Sequence, residues 1–189
     1  ALSSRPPLNL AEQIRALEAY PYGCLEQTTS GLYPSLYADA DSLKRLGIKG
    51  EPADVRKRKI EMGIEHLLGM QRYNGSFGLW SSDSEEEYWL TAYVTDFLLR
   101  ARDQGYGVPA EALKKASERL LRYLQERNLI EVDYSENADH TRFAVQAYAA
   151  LVLSRSQQAP LGALRGLFER RADARSGLPL VQLAGAVDK

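Results

Sequence analysis

The only cysteine of the chain, Cys24, stands three residues before Gln27 and directly after Gly23 in the stretch Tyr20-Pro21-Tyr22-Gly23-Cys24-Leu25-Glu26-Gln27-Thr28. Side chains at i and i+3 are neighbours on a helical turn, so the Cys24 sulfur can reach the side-chain carbonyl carbon of Gln27. Attack there forms an Sγ–Cδ bond, breaks Cδ–Nε2 and releases ammonia, leaving an internal thioester. Gly23 has no Cβ and tolerates the tight backbone of such a ring. Glu26 sets a carboxylate beside the bond. Tyr20 and Tyr22 flank the motif and would screen the bond from water; the competing reading of the two rings is plain packing with a wet hydroxyl. For Cys24 itself the competing reading is a buried free thiol, a common fate of an unpaired cysteine.

The elements around the motif suit this chemistry. Asn9, answered by Glu12, caps a first helix with Leu10, Ile14 and Leu17 on one stripe, and Pro21 stops it, because the residue before a proline is pushed out of the α region. A second helix starts at Cys24, is bent or restarted at Pro34, and continues along Leu36, Ala40 and Leu43 to Gly47. Cys24 is thereby expected at a helix N-terminus, where the dipole favours a thiolate as attacking and leaving group.

Further on, Glu51-Pro52-Ala53-Asp54 opens a helix with Ile60, Ile64, Leu67 and Leu68 on one face. The basic run Arg56 to Lys59 reads as its solvated side, and no nucleic-acid partner is expected. His66 lies one residue off the apolar stripe and reads as a partly buried, hydrogen-bonded histidine. The stretch Gln71 to Trp80 is a loop by its Asn74-Gly75 turn, and its two large aromatics, Phe77 and Trp80, should cap something. Ser84 and Glu87 have capping-box spacing ahead of a stripe of Leu90, Tyr93, Val94, Phe97, Leu98 and Ala101. Gly105 ends that helix, and Pro109 starts one with Leu113, Ala116, Leu120 and Leu124, closed by Asn128. A polar loop holding Glu131, Asp133, Glu136, Asp139 and His140 precedes a helix with Ala144, Ala147, Tyr148 and Leu151 inward. Pro160 starts a helix with Leu161, Leu164 and Phe168, and Leu180 to Val187 reads as the first turns of another. No period-two strand with a hairpin turn stands out, so the expectation is all-α, with antiparallel helical hairpins.

Composition excludes several classes. The 189 residues suffice for one sizeable domain. The 24 basic and 25 acidic residues, a net charge of -1, create no field for nucleic acid or an anionic membrane. No apolar run approaches the ~20 residues of a membrane span, and Ala1 to Asn9 carries no secretory apolar region. Two histidines and one cysteine make a metal site unexpected, and no cofactor is expected.

Gly-Cys-x-Glu-Gln resembles the thioester signature of the α2-macroglobulin and complement superfamily, and the wider Tyr-Pro-Tyr-Gly-Cys-Leu-Glu-Gln-Thr-Thr-Ser resembles its bacterial branch, with Leu25 where animal members usually have a second glycine. The Gln71 to Gly78 stretch is similar to turns that recur in α/α-toroid proteins. The resemblance implies an α/α toroid of which residues 1–189 hold about four of six hairpins, as a single thioester domain truncated at its C-terminus. It further implies a single-use trap, not an enzyme: target proteases are captured covalently at a Cys24–Gln27 thioester, other domains of a larger parent protein trigger it, and the setting is periplasmic, with an inner-membrane tether lying outside this chain. His140 lies at a downstream distance from Cys24 broadly similar to that of a histidine that assists acyl transfer in complement-like members, and the resemblance makes it a candidate assistant; a solvent-exposed loop histidine is the alternative. Two other functions remain open on the same residues. Cys24 with His140 as base would make a hydrolase or transamidase, and a toroid can also host prenyl transfer or cyclisation, whose metal and acid motifs are not evident here.

Overall fold

Apolar side chains three and four residues apart, punctuated by Gly and Pro, give one helix after another. In a computed structural model, which describes residues 23–37, 40–45, 50–132 and 137–188, these are α1 (Leu25–Tyr37), α2 (Ala40–Arg45), α3 (Ala53–Gly69), α4 (Tyr88–Asp103), α5 (Ala110–Gln125), α6 (Ala138–Arg155), α7 (Leu161–Glu169) and α8 (Gly177–Val187). Single 3-10 turns lie at Arg127–Leu129 and Arg171–Asp173. The only β pairing among the described residues is two isolated bridges, Gln71 with Phe77 and Gly78 with Glu86. The chain is all-α, as its periodicity requires. The expected helix after Asn9, and Tyr20 and Tyr22 with it, lie outside the described residues.

Two helices form the centre. In α4 the buried residues Thr91, Ala92, Val94, Thr95, Asp96, Phe97, Leu98, Leu99 and Ala101 cover every side of the helix, the mark of a helix enclosed by others. It packs against α1, α5 and α6. In α6 the expected inward face was Ala144, Ala147, Tyr148 and Leu151, yet Ala144 and Leu151 are only half-buried while Val145, Ala149, Ala150 and Val152 are buried. The reason is that α6 has a core on two sides: Val145, Tyr148, Ala149, Val152 and Leu153 join the main cluster, and Phe143, Ala147 and Ala150 meet Leu164, Leu167, Leu183 and Ala186 from α7 and α8.

Two local expectations fail. Ser84 does not cap α4; its Oγ accepts the backbone N–H groups of Trp80 and Ser81 at 3.3 and 3.1 Å. The hydroxyl is committed to the 80–84 turn, and Glu87 stands at the N-cap instead, without a side-chain cap bond. In α7 the buried stripe is Leu164 and Leu167, whereas Leu161 and Phe168 are exposed; among the described residues α7 packs chiefly against α6, α8 and the second 3-10 turn, and the Arg171 guanidinium covers the Phe168 ring at 4.6 Å.

The motif helix α1 lies between α3 and α4. It runs unbroken through Pro34. At Gly63 of α3 an added Cβ would fall 2.3 Å from Leu32 Cδ1, so the absence of a side chain there sets how closely α1 and α3 approach. Leu25 and Leu32 are both buried in the main core.

Candidate functional site

Cys24 immediately precedes α1, and its carbonyl accepts the first helical bond, from Thr28 N–H at 2.9 Å. Cys24 is thus the N-cap residue and Gln27 the third residue of the first turn. Side chains at these two positions normally reach each other's end of the turn, as in a capping box, and here the pair is a thiol and a carboxamide. Cys24 is buried at 5% exposure and unpaired. Gln27 is half-buried, and among the described residues its buried Oε1 has no hydrogen-bond partner, a costly state for an amide oxygen. Leu25 is buried and Glu26 exposed.

A scaffold positions this turn. Gln71 Nε2 donates to Ala112 O at 2.9 Å, and Asn74 Oδ1 accepts from Ser76 N–H and Oγ–H at 3.0 and 2.7 Å. Gly75 has φ +89°, with space for a Cβ closed by Lys115 O at 2.1 Å, so glycine is required twice over. Of the loop's aromatics Phe77 is fully buried in the core, whereas Tyr73 and Trp80 are exposed. At the end of this loop Leu79 O accepts Leu25 N–H at 2.8 Å, satisfying one of the four N–H groups a helix start leaves open.

On the other side of Cys24, His66 Nε2 lies 2.8 Å from Gly23 O. A carbonyl only accepts, so the ring nitrogen donates. His66 is hydrogen-bonded as expected but exposed rather than partly buried. Gly23 is absent from the left-handed region that favours glycine; what its missing Cβ provides is proximity, since a Cβ would sit 3.1 Å from His66 Nε2. Sequence reasoning missed this contact. The signal was the spacing of Gly63 and His66, one turn apart on α3, which touch Leu32 and Gly23 respectively and so lay α1 antiparallel to α3.

The C-terminal half of α1 is held differently. Tyr33 Oη donates to Asp96 Oδ2 at 3.0 Å, Arg100 Nε donates to the same oxygen at 3.0 Å, and Arg155 Nε lies 3.0 Å from Asp96 Oδ1. Arg100 also donates to Tyr37 Oη at 2.7 Å. The Tyr33 ring stacks on Tyr93 at 5.1 Å and meets Phe97 edge-on at 5.3 Å. Burial, then the Asp96 charge, pushes the Tyr33 hydroxyl far above its ordinary range. For Arg100, burial alone would lower the pKa, but the Tyr37 bond and Asp96 overcome it and raise it. Glu26 projects toward α4, where desolvation first, then Glu85 and Glu26, raise Glu87.

His140 is half-buried on the first turn of α6, and its Nδ1 accepts Arg175 N–H at 3.1 Å. The structure therefore groups Gly23, Cys24, Gln27 and His66, and bonds His140 to the segment before α8. In the basic run Lys57 and Arg58 are exposed and Arg56 and Lys59 half-buried, with Lys57 and Lys59 each 3.8 Å from a glutamate. Among the described residues no group of three or more His, Cys, Asp or Glu could hold a metal ion, and no helix is long and apolar enough to cross a membrane.

Comparison with known proteins bears on this geometry. The family model for the A-macroglobulin TED domain matches residues 2–130. An α2-macroglobulin of Escherichia coli strain K12 is 58% identical over 98% of the chain, which spans 11% of that relative's length. The fold superposes on Salmonella α2-macroglobulin reacted with methylamine with a TM-score of 0.92 at 56% identity, covering 98% of this chain and 12% of that one. It superposes on E. coli α2-macroglobulin activated by porcine elastase with a TM-score of 0.88 at 58% identity, covering 98% and 17%. With a family model matched over the Cys24–Gln27 turn and most of the chain, and near-complete overlap in fold, the chain belongs to the A-macroglobulin TED domain family.

Proposed function

We propose that Cys24 and Gln27 form an internal thioester that captures an attacking protease once, through a nucleophilic amine. The observation that carries this reading is the unpartnered, buried Oε1 of Gln27 one turn from the buried Cys24. An amide oxygen is a strong acceptor and loses much when left alone; a thioester carbonyl is a weaker acceptor, so the same place is less hostile to the linked form. In capture, an amine nitrogen attacks Cδ of Gln27, the Cδ–Sγ bond breaks, Cys24 leaves as thiolate, and the amine proton passes to the sulfur or to water. The amide formed does not restore the thioester, so each molecule acts once.

Support for the amine comes from the methylamine-reacted Salmonella relative, and for the protease from the elastase-activated E. coli relative. Because those relatives are much longer, the proposal places residues 1–189 within an α/α toroid of a larger protein whose other domains trigger capture. Its setting is the periplasm, with an inner-membrane tether elsewhere in the parent. Fractionation of native cells tests the setting, and recovery in the cytosol would sink it.

The cysteine-hydrolase alternative is less well supported. With Arg175 N–H bonded to Nδ1, a neutral His140 carries its proton on Nε2, which leaves no free lone pair for a base. The same bond must open if His140 is to assist acyl transfer. His140→Ala decides: a falling ratio of hydroxyl to amine capture supports assistance, and an unchanged ratio and rate remove it.

For the thioester, intact mass of protein from the native host should fall one ammonia short, and methylamine should release a thiol while labelling Gln27. Full mass with a reactive thiol and no labelling would falsify the link. If Tyr20 screens the bond, Tyr20→Ala accelerates spontaneous hydrolysis; an unchanged decay leaves the ring with packing alone.

A further inference from the structure

Cys24 is held from both sides through backbone groups. Leu79 O takes the N–H of the residue after it at 2.8 Å, and His66 Nε2 lies 2.8 Å from the carbonyl of the residue before it. Leu79 belongs to the scaffold loop and His66 to α3, so two separately packed elements fix the two peptide groups that flank one side chain. The first bond would form at any helix start with a suitable neighbour. The second needs a specific side chain reaching from another helix, and Gly23 leaves it room, since a Cβ there would lie 3.1 Å from Nε2, a tight approach that the ring would have to yield to.

We propose that His66 is a positioning residue for the Cys24–Gln27 reaction. Its ring donates to the Gly23 carbonyl and so fixes the peptide plane from which the Cys24 side chain departs. An intramolecular reaction gains its rate from holding the two groups close and aligned, and small misplacements are costly. The donor is present on both the imidazolium and the neutral Nε2–H tautomer. His66 does not touch Gln27 Cδ in this role; it acts through the backbone. The ring is exposed and faces an open groove lined by Met62, Glu65, Gly69, Met70, Trp80 and Ser81. Replacing it therefore leaves no buried cavity, and its effect on the reaction can be separated from its effect on folding.

The inference rests on the thioester reading, and one experiment separates their failures. Wild-type, His66→Ala and His66→Gln proteins are isolated from the native host. Intact mass gives the fraction linked, methylamine-induced thiol release gives the rate, and thermal melting gives the fold. A wild type of full mass sinks both readings together. With a linked wild type, His66→Ala should melt like the wild type yet show a linked fraction or thioester lifetime lower by about five-fold, the equivalent of one hydrogen bond. His66→Gln, whose side-chain amide can donate to the same carbonyl, should recover most of it. Equality of His66→Ala with the wild type overturns the inference while leaving the thioester intact. Equal impairment in the Ala and Gln variants also overturns it, because the donor would then not be what matters.

Discussion

The two halves of α1 are secured by opposite means. Toward its C-terminus, Tyr33 and Tyr37 meet a buried carboxylate, two arginines and a stack of rings. At its N-terminus, Cys24 and Gln27 are held through peptide groups, by Leu79 and His66, and the Gln27 oxygen has no partner. A side chain already bonded to neighbours is poorly placed to react. Anchoring the far end strongly lets the near end keep its reactive groups free while remaining in place, as a site on a rigid element requires.

The largest test of that division is Asp96→Ala. Removing a carboxylate that faces Arg100 and Arg155 leaves two cations beside a buried cluster, and it should cost about 3 kcal/mol in urea unfolding, the lower end for breaking a buried pair because both arginines retain some solvent. The methylamine rate of the folded protein should change little, since distant sites act nearly independently. A rate that moves in step with stability would show that the halves are not separable. Gly63→Ala comes next. The added Cβ would fall 2.3 Å from Leu32 Cδ1, and overpacking of about 1–3 kcal/mol exceeds the roughly 1 kcal/mol that alanine gains over glycine in a helix. A net loss of about 1 kcal/mol is expected from these terms. A net gain would mean that α1 and α3 can shift apart freely.

The reactive half was far more legible in the sequence than the anchored half. Cys24 and Gln27 are one turn apart, and spacing along a helix can be read directly. The His66 bond joins residues 43 positions apart, and a lone histidine beside an apolar stripe does not announce its partner. Asp96 could have been noticed: an acid between Thr95 and Phe97 in the most enclosed helix must find cations. The partners Arg100 and Arg155 lie respectively one turn on and in another helix, and only the first follows from spacing. Among the described residues helix existence followed from periodicity, but sidedness failed in α6 because a stripe assumes one core and α6 divides two.

Cys24→Ala should separate chemistry from stability at the reactive half. The mass deficit and methylamine labelling should vanish, whereas unfolding should change by about 1 kcal/mol or less, because a small side chain is replaced by another and no hydrogen bond is lost. A loss of about 3 kcal/mol or more, the size expected at Asp96, would mean that the thiol is itself an anchor and would erase the contrast.

The smallest effect concerns charge, which also differs between the halves: arginines gather at Asp96, whereas Glu26, Glu85 and Glu87 gather near the reactive turn. Desolvation, then Glu85 and Glu26, raise the Glu87 pKa above its ordinary value. The α4 dipole favours an acid at the N-cap and so opposes desolvation and repulsion there. A carboxyl with a raised folded pKa costs stability above that pKa, where the native state must hold a charge it disfavours. The cost is recovered as pH falls through the folded pKa toward the unfolded value, because the native form then binds the proton more readily. Glu87→Gln removes the charge and should raise the unfolding free energy slightly at pH 7, by less than about 1 kcal/mol for a half-buried group still screened by solvent. That advantage should shrink as pH falls through the raised folded pKa and be gone below about 4, where the carboxyl is protonated in both folded and unfolded states. A Gln variant less stable than the wild type at pH 7 would show that the dipole wins, and that the acids stabilise the reactive half instead of loosening it.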